Sequence, residues 1–134
     1  MKSNGKITHH WQLDVYKLSM DAGMSLFELS KKFPREEMYS LTDQVRRSSR
    51  SVSSHISEGW RRRRYEAAFC EKLNGAESEA GESQTWIEYA VRCGYMTAKE
   101  GRALHRTYDF IMGKLVNMQN KPEVWLLHNP RTRT

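Results

Sequence analysis

The sequence predicts an all-α protein, an antiparallel up-down-up-down four-helix bundle. Three observations predict it. Apolar residues recur at three- and four-residue steps through four separate stretches, the period of a helix with one face in a core. The three prolines, Pro34, Pro122 and Pro130, all stand outside those stretches. The connections between stretches are short, which suits antiparallel neighbours. A chain of 134 residues is one domain and can bury a core without disulfides or metal.

Residues 1–12 read as a flexible polar leader, with Trp11 placed to pack on the first helix, and residues 13–120 as the bundle. The first helix spans Leu13 to Lys32, with Val15, Leu18, Ala22, Leu26, Leu29 and Phe33 as its core stripe. A second apolar set, Tyr16, Met20, Met24 and Phe27, lies on another side of it. Either one wide stripe is buried within a subunit, or the second set is a contact between copies. Phe33-Pro34 ends this helix, and Pro34 is expected to open the next, with Glu36 and Glu37 near its positive end.

The second helix is expected to run to about Ser57, with Leu41, Val45, Val52 and Ile56 inward and Gly59 as C-cap. Its many serines are mediocre helix formers, so tertiary packing must hold it. The third spans about Tyr65 to Cys93, with the stripe Phe69, Leu73, Ala76, Ala80, Ser83, Ile87 and Val91, and Gly94 closes it. Thr97-Ala98-Lys99-Glu100 is a capping box for the fourth. There Leu104, Tyr108, Ile111, Leu115 and Met118 face inward as far as Asn120. In the tail, residues 121–134, Pro122 stops the helix and Val124-Trp125-Leu126-Leu127 is an apolar patch expected to dock.

No apolar run is long enough for a membrane span, and no apolar stretch follows the first residues as a secretory signal would require. Cys70 and Cys93, far apart on one helix, read as reduced thiols of a cytoplasmic protein.

Charge is unevenly divided. Residues 1–64 carry thirteen Lys/Arg against seven Asp/Glu, whereas residues 65–134 carry nine of each. Residues 65–91 set Lys72 alone against six glutamates, so a basic and an acidic helix can neutralise each other within or between subunits. On the second helix Arg46, Arg47 and Arg50 point away from the core stripe. Arg61-Arg62-Arg63-Arg64 follow at once, bracketed by Trp60 and Tyr65. Four adjacent like charges call for an anion or an acidic surface, and aromatics beside them suit stacking on unpaired bases. The third helix's N-terminal dipole adds to that charge. The bland alternative is a solvated face with salt bridges between subunits.

Chemistry has little support. His9 and His10 adjoin in the leader, His55, His105 and His128 are isolated, and no metal-ligand spacing occurs. Glu79 and Glu82 lack the histidine of a bundle di-metal motif, and the serines lack a histidine–acid partner. No enzyme, cofactor or metal is expected.

Several segments carry a resemblance: Leu13-Asp14-Val15-Tyr16-Lys17, Lys32-Phe33-Pro34, Leu41-Thr42-Asp43-Gln44-Val45-Arg46-Arg47, Ser51-Val52 and Ile56-Ser57-Glu58-Gly59. Together they resemble the four-helix-bundle proteins encoded in bacterial 23S rRNA intervening sequences. Glu79 to Ile87 and Cys93-Gly94-Tyr95-Met96 resemble one branch of that family. The likeness covers roughly residues 13–118. It departs at Ser53 and His55, where the family has proline and asparagine, so the kink of the second helix is in question. The resemblance implies a bundle that assembles as a ring, commonly a pentamer, without enzymatic activity. A related branch is the accessory protein of diversity-generating retroelements, binding a reverse transcriptase and nucleic acid. The family's motif positions Gln44, Arg46, Arg47, Glu58 and Gly59 carry over as structural, with pairing of the Arg46–Glu58 or Arg47–Glu82 kind.

The expectation is a basic homo-oligomer that binds nucleic acid, RNA before DNA, through Arg46, Arg47, Arg50, Trp60 and Arg61 to Arg64. Its subunits would meet on Tyr16, Met20, Met24 and Phe27. The rival is an interaction scaffold for an acidic protein, such as a reverse transcriptase.

Overall fold

The inward stripes become four helices: α1 (Asp14–Ser30), α2 (Leu41–Arg61), α3 (Glu66–Arg92) and α4 (Ala98–Asn120). The computed structural model describes residues 7–127. Each helix packs on the next, and α1 also meets α4, which closes the bundle. Side-chain pairs fix the directions. Ser19 and Ser53 share a hydrogen bond of 2.9 Å while Arg46 Nε donates to Ser30 Oγ at 2.8 Å, so α2 runs opposite to α1. Ser48 and Ser83 share one of 2.8 Å, and Lys72 meets Glu58, so α3 reverses again. Gln84 Nε2 donates to Asp109, and Gln119 Nε2 to Glu77, which sets α4 antiparallel to α3.

The core is the expected one: Leu26, Val45, Val52, Ile56, Phe69, Leu73, Ile87, Tyr108, Ile111 and Leu115 are almost wholly buried. The expected stripes differ at three places: Leu18 and Leu29 of the first helix are half-buried, and on the third Ala90 is buried while Val91 is half-buried. Burial of such side chains contributes roughly 1.5–3 kcal/mol each. Exposed pairs such as Glu28–Lys31 and Glu88–Arg92 contribute at most about 1 kcal/mol. Packing therefore holds the bundle. Serines belong to that packing: Ser19, Ser48, Ser49, Ser53 and Ser83 are buried, and their small size brings α2 close to both neighbours. Their hydroxyls are satisfied by one another or by a carbonyl one turn back, as when Ser49 Oγ donates to Arg46 O.

Three boundaries depart from the sequence reading. Pro34 does not open α2. It is extended (φ −65°, ψ 153°) and leads into a 3-10 turn, Arg35–Glu37. The helix starts afresh at Leu41, whose N–H donates to Glu37 Oε1. Gly59 is not a C-cap either. α2 runs through it to Arg61, because Gly59 faces α3, where a Cβ would stand 3.2 Å from Leu73 Cδ2 and 3.3 Å from Lys72 Cβ. Within residues 7–12 of the expected leader, His10–Gln12 forms a 3-10 turn. Trp11 is exposed and stacks on His9 rather than on α1.

Other boundaries agree. Gly94 has φ 80°, and the N–H groups of Gly94 and Tyr95 donate to Val91 O and Ala90 O, a Schellman closure of α3. The capping box of α4 is complete, with Glu100 N–H donating to Thr97 Oγ1 and Thr97 N–H to Glu100 Oε1. With Ser53 in place of proline, α2 is one continuous helix.

Candidate nucleic-acid interface

The antiparallel order brings the start of α1, the end of α2, the start of α3 and the end of α4 to one end of the bundle. The four-arginine run lies there, between α2 and α3. Arg61 is the last residue of α2, Arg62 its C-cap and Tyr65 the N-cap of α3. The turn closes where Tyr65 N–H donates to Arg62 O at 3.0 Å.

The run is not uniform. Arg61, Arg62 and Arg64 are exposed, whereas Arg63 turns inward. Its guanidinium lies 3.5 Å from the Trp60 ring centroid, and its Nε donates to Trp60 O at 2.8 Å. Burial and the Arg61 charge push the Arg63 guanidinium down from its usual value. The opposed ends of α2 and α3 meet at this turn, so their dipoles offset each other and the field comes from the side chains.

Trp60 must be withdrawn as a stacking residue. It is 4% exposed and belongs to the core, one turn after Ile56, with Arg63 over its face. Tyr65, at 63% exposure, is the aromatic that the junction does present.

Along α2, Arg47 and Arg50 are exposed and Arg46 is half-buried. Arg46 is bound to Ser30 and lies 4.9 Å from the Phe27 ring centroid, with Arg50 at 5.8 Å and Lys31 Nζ at 4.8 Å. Three cations thus surround one ring. Neither anticipated arginine–glutamate pair forms within the chain. Glu58 is taken by Lys72 at 3.0 Å, which holds its carboxyl below the usual range, and Glu82 accepts from Trp86 Nε1. Among the described residues, no carboxylate lies within ion-pair distance of any of these seven arginines.

The second apolar stripe of α1 adjoins this surface. Met24 is 52% exposed and Met20 40%, while Tyr16 and Phe27 are half-buried. A groove of about 230 Å³ between α1 and α2 is lined by Met20, Gly23, Met24, Phe27, Arg50 and Ser53. Arg50 and Phe27, assigned to different surfaces by the sequence, meet in it.

The sequence did not single out the partners Ser30 and Lys31, nor the place where the tail docks. Trp125 and Leu126 pack against the core, and Leu127 N–H donates to Arg63 O at 3.1 Å. His128 and the rest of the polar tail lie outside the described residues. No cluster of three or more His, Cys, Asp or Glu side chains able to hold a metal occurs among the described residues. Cys70 is half-buried, and burial raises its thiol, so it is a poor nucleophile. No helix among those described is long and apolar enough to cross a membrane.

Comparison with known proteins agrees with this architecture. Residues 11–117 match the family described as 23S rRNA-intervening sequence protein. A crystal structure from Bacteroides thetaiotaomicron, described as a protein of unknown function from the S23 ribosomal protein family, superposes with a TM-score of 0.71 at 25% identity. The match covers 79% of this chain and 95% of that one. A search of curated proteins found no match. With its four helices in order and most of its length matched, the chain belongs to the 23S rRNA-intervening sequence protein family.

Proposed function

We propose that this chain is a non-catalytic RNA-binding protein that works as a homo-oligomer. The observation that carries the reading is a cationic surface without carboxylate partners among the described residues, made of Arg47 and Arg50 on α2 and Arg61, Arg62 and Arg64 at the junction. Guanidinium groups left unpaired in water suit phosphates, which supply affinity without sequence preference. Structured RNA, or RNA within a protein complex, is the ligand class. The exposed methionines of α1 support association of copies, and the family resemblance favours a ring of five. A single junction binds weakly, whereas several copies held together act multivalently.

The test is fluorescence anisotropy with a labelled RNA hairpin across a salt series. Binding should weaken steeply with salt, by a log–log slope of about −0.7 to −0.9 for each phosphate neutralised. The triple change of Arg61, Arg62 and Arg64 to alanine should abolish retention and leave helicity and oligomer size intact. Absence of binding at low salt would sink the RNA reading and favour a scaffold for an acidic protein, such as a reverse transcriptase. If the triple variant dissociates instead, these arginines are salt-bridge partners between subunits.

A further inference from the structure

Within the four-arginine run Arg63 stands apart in burial and in contacts. Arg63 is half-buried where its neighbours are exposed, stacks on Trp60, and donates Nε to the Trp60 carbonyl. On the other side its own carbonyl accepts from Leu127 N–H, so the C-terminal segment lies across the turn. That segment is anchored in its own right. Pro122–Val124 forms a 3-10 turn after α4, Trp125 N–H donates to Pro122 O at 2.8 Å, and Trp125 and Leu126 pack on the core.

We infer that Arg63 is the positioning residue of the arginine run: Trp60 and the C-terminal segment hold it, and it sets Arg61, Arg62 and Arg64 outward toward phosphate. The inference rests on the RNA-binding reading. Its physical basis is that adjacent guanidinium groups repel, so fixing one of them within the turn between α2 and α3 decides how the exposed ones beside it are presented. The planar guanidinium can stack on an indole and donate from Nε in the same pose; an ammonium cannot do both. The Trp60 face is therefore occupied, and three arginines remain for ligand. The tail segment takes part because the Leu127 N–H closes on the carbonyl of Arg63 itself.

The experiment compares single variants of the full chain with the labelled RNA hairpin over the salt series. Arg61→Gln, Arg62→Gln and Arg64→Gln should each reduce the log–log slope by about 0.7 to 0.9, the loss of one phosphate contact. Arg63→Gln should weaken binding several-fold at every salt concentration with the slope unchanged. Arg63→Lys keeps the charge and should fail to restore affinity. Leu127→Pro removes the N–H donor and should act as Arg63→Gln does, again with parallel slopes. A fall in slope for Arg63→Gln, or full rescue by Arg63→Lys, would make Arg63 an ordinary phosphate contact and overturn the inference. Hydrogen exchange at the Leu127 amide gives a readout without RNA: Arg63→Gln should accelerate it while the helices stay protected. If the wild-type protein ignores the hairpin, the RNA reading fails. The clamp then stands or falls on that amide, and unchanged protection would overturn it.

Discussion

The imidazole of His55 on α2 fills the space that a side chain at position 75 of α3 would need. A Cβ on Gly75 would lie 2.6 Å from His55 Cδ2 and 2.9 Å from Nε2. The ring is held there, with Nδ1 2.9 Å from the Ser51 carbonyl one turn back. The same nitrogen lies 3.1 Å from Ser51 Oγ, so Ser51 seats the ring with two atoms. Gly75 sits in mid-helix, where glycine is worse than alanine by about 1 kcal/mol. The ring explains why the worse helix former stands there.

Gly75→Ala should therefore destabilise the protein, by about 1–3 kcal/mol if the ring is forced from its seat. In a His55→Ala background the same change should stabilise it by up to about 1 kcal/mol, the propensity gain alone. Urea denaturation at one protein concentration measures both. The same sign in both backgrounds would show that the imidazole is not the obstacle.

Met24 tests the association of copies. It is the more exposed methionine of the α1 stripe and lies in the groove beside Arg50. Met24→Lys adds a cation next to Arg50 and removes apolar surface. Light scattering should then give the mass of one chain while circular dichroism remains helical. A wild-type protein that is already a monomer at micromolar concentration would exclude this interface.

Tyr95 and Glu37 tie the α3–α4 turn to the α1–α2 turn, with Tyr95 Oη donating to Glu37 Oε2 at 2.9 Å. The Ser40 hydroxyl first, and then Tyr95, hold the Glu37 carboxyl below its ordinary 4.5. Its contribution is present above pH 4.5 and is lost as pH falls through the lower folded value. The bond to Glu37 pushes the Tyr95 phenol up from 10 to about 12, so its contribution is present below pH 10 and is lost between there and about 12. Thermal melts across pH should show both limbs. Tyr95→Phe should reduce the alkaline limb, part of which Tyr108 sustains because burial raises its phenol, and soften the acid one, which Glu58 and Glu100 still sustain through Lys72 and Thr97. An alkaline limb unchanged in Tyr95→Phe would assign it to other groups.

Much of the bundle was legible because helical periodicity records which face is buried: all five inward residues assigned to α4 are buried. Glycine was not legible in the same way. Gly59 and Gly94 each stand near a helix end, yet Gly94 closes its helix with φ 80° while Gly59 only makes room for Leu73 and Lys72. That difference is set by the opposite helix, which local sequence does not record. Trp60 was misread through its neighbours in sequence. Four residues after Ile56, it continues the core stripe, and helical phase outweighs adjacency to charge. Arg46 was readable as an outward cation, but its bond to Ser30 depends on how α1 and α2 align.

The two ends of the described chain, Ile7 and Leu127, lie at the same end of the bundle as the arginine turn. A purification tag or fluorescent protein joined directly at Ile7 or Leu127 would therefore start from the end that carries Arg61, Arg62 and Arg64. The opposite end offers a native alternative. Cys93 is exposed at the C-cap of α3, whereas Cys70 is half-buried with its Sγ donating to the Gln119 carbonyl. A maleimide dye directed to Cys93 would therefore report on the molecule from a bundle's length away, leaving the cationic end bare.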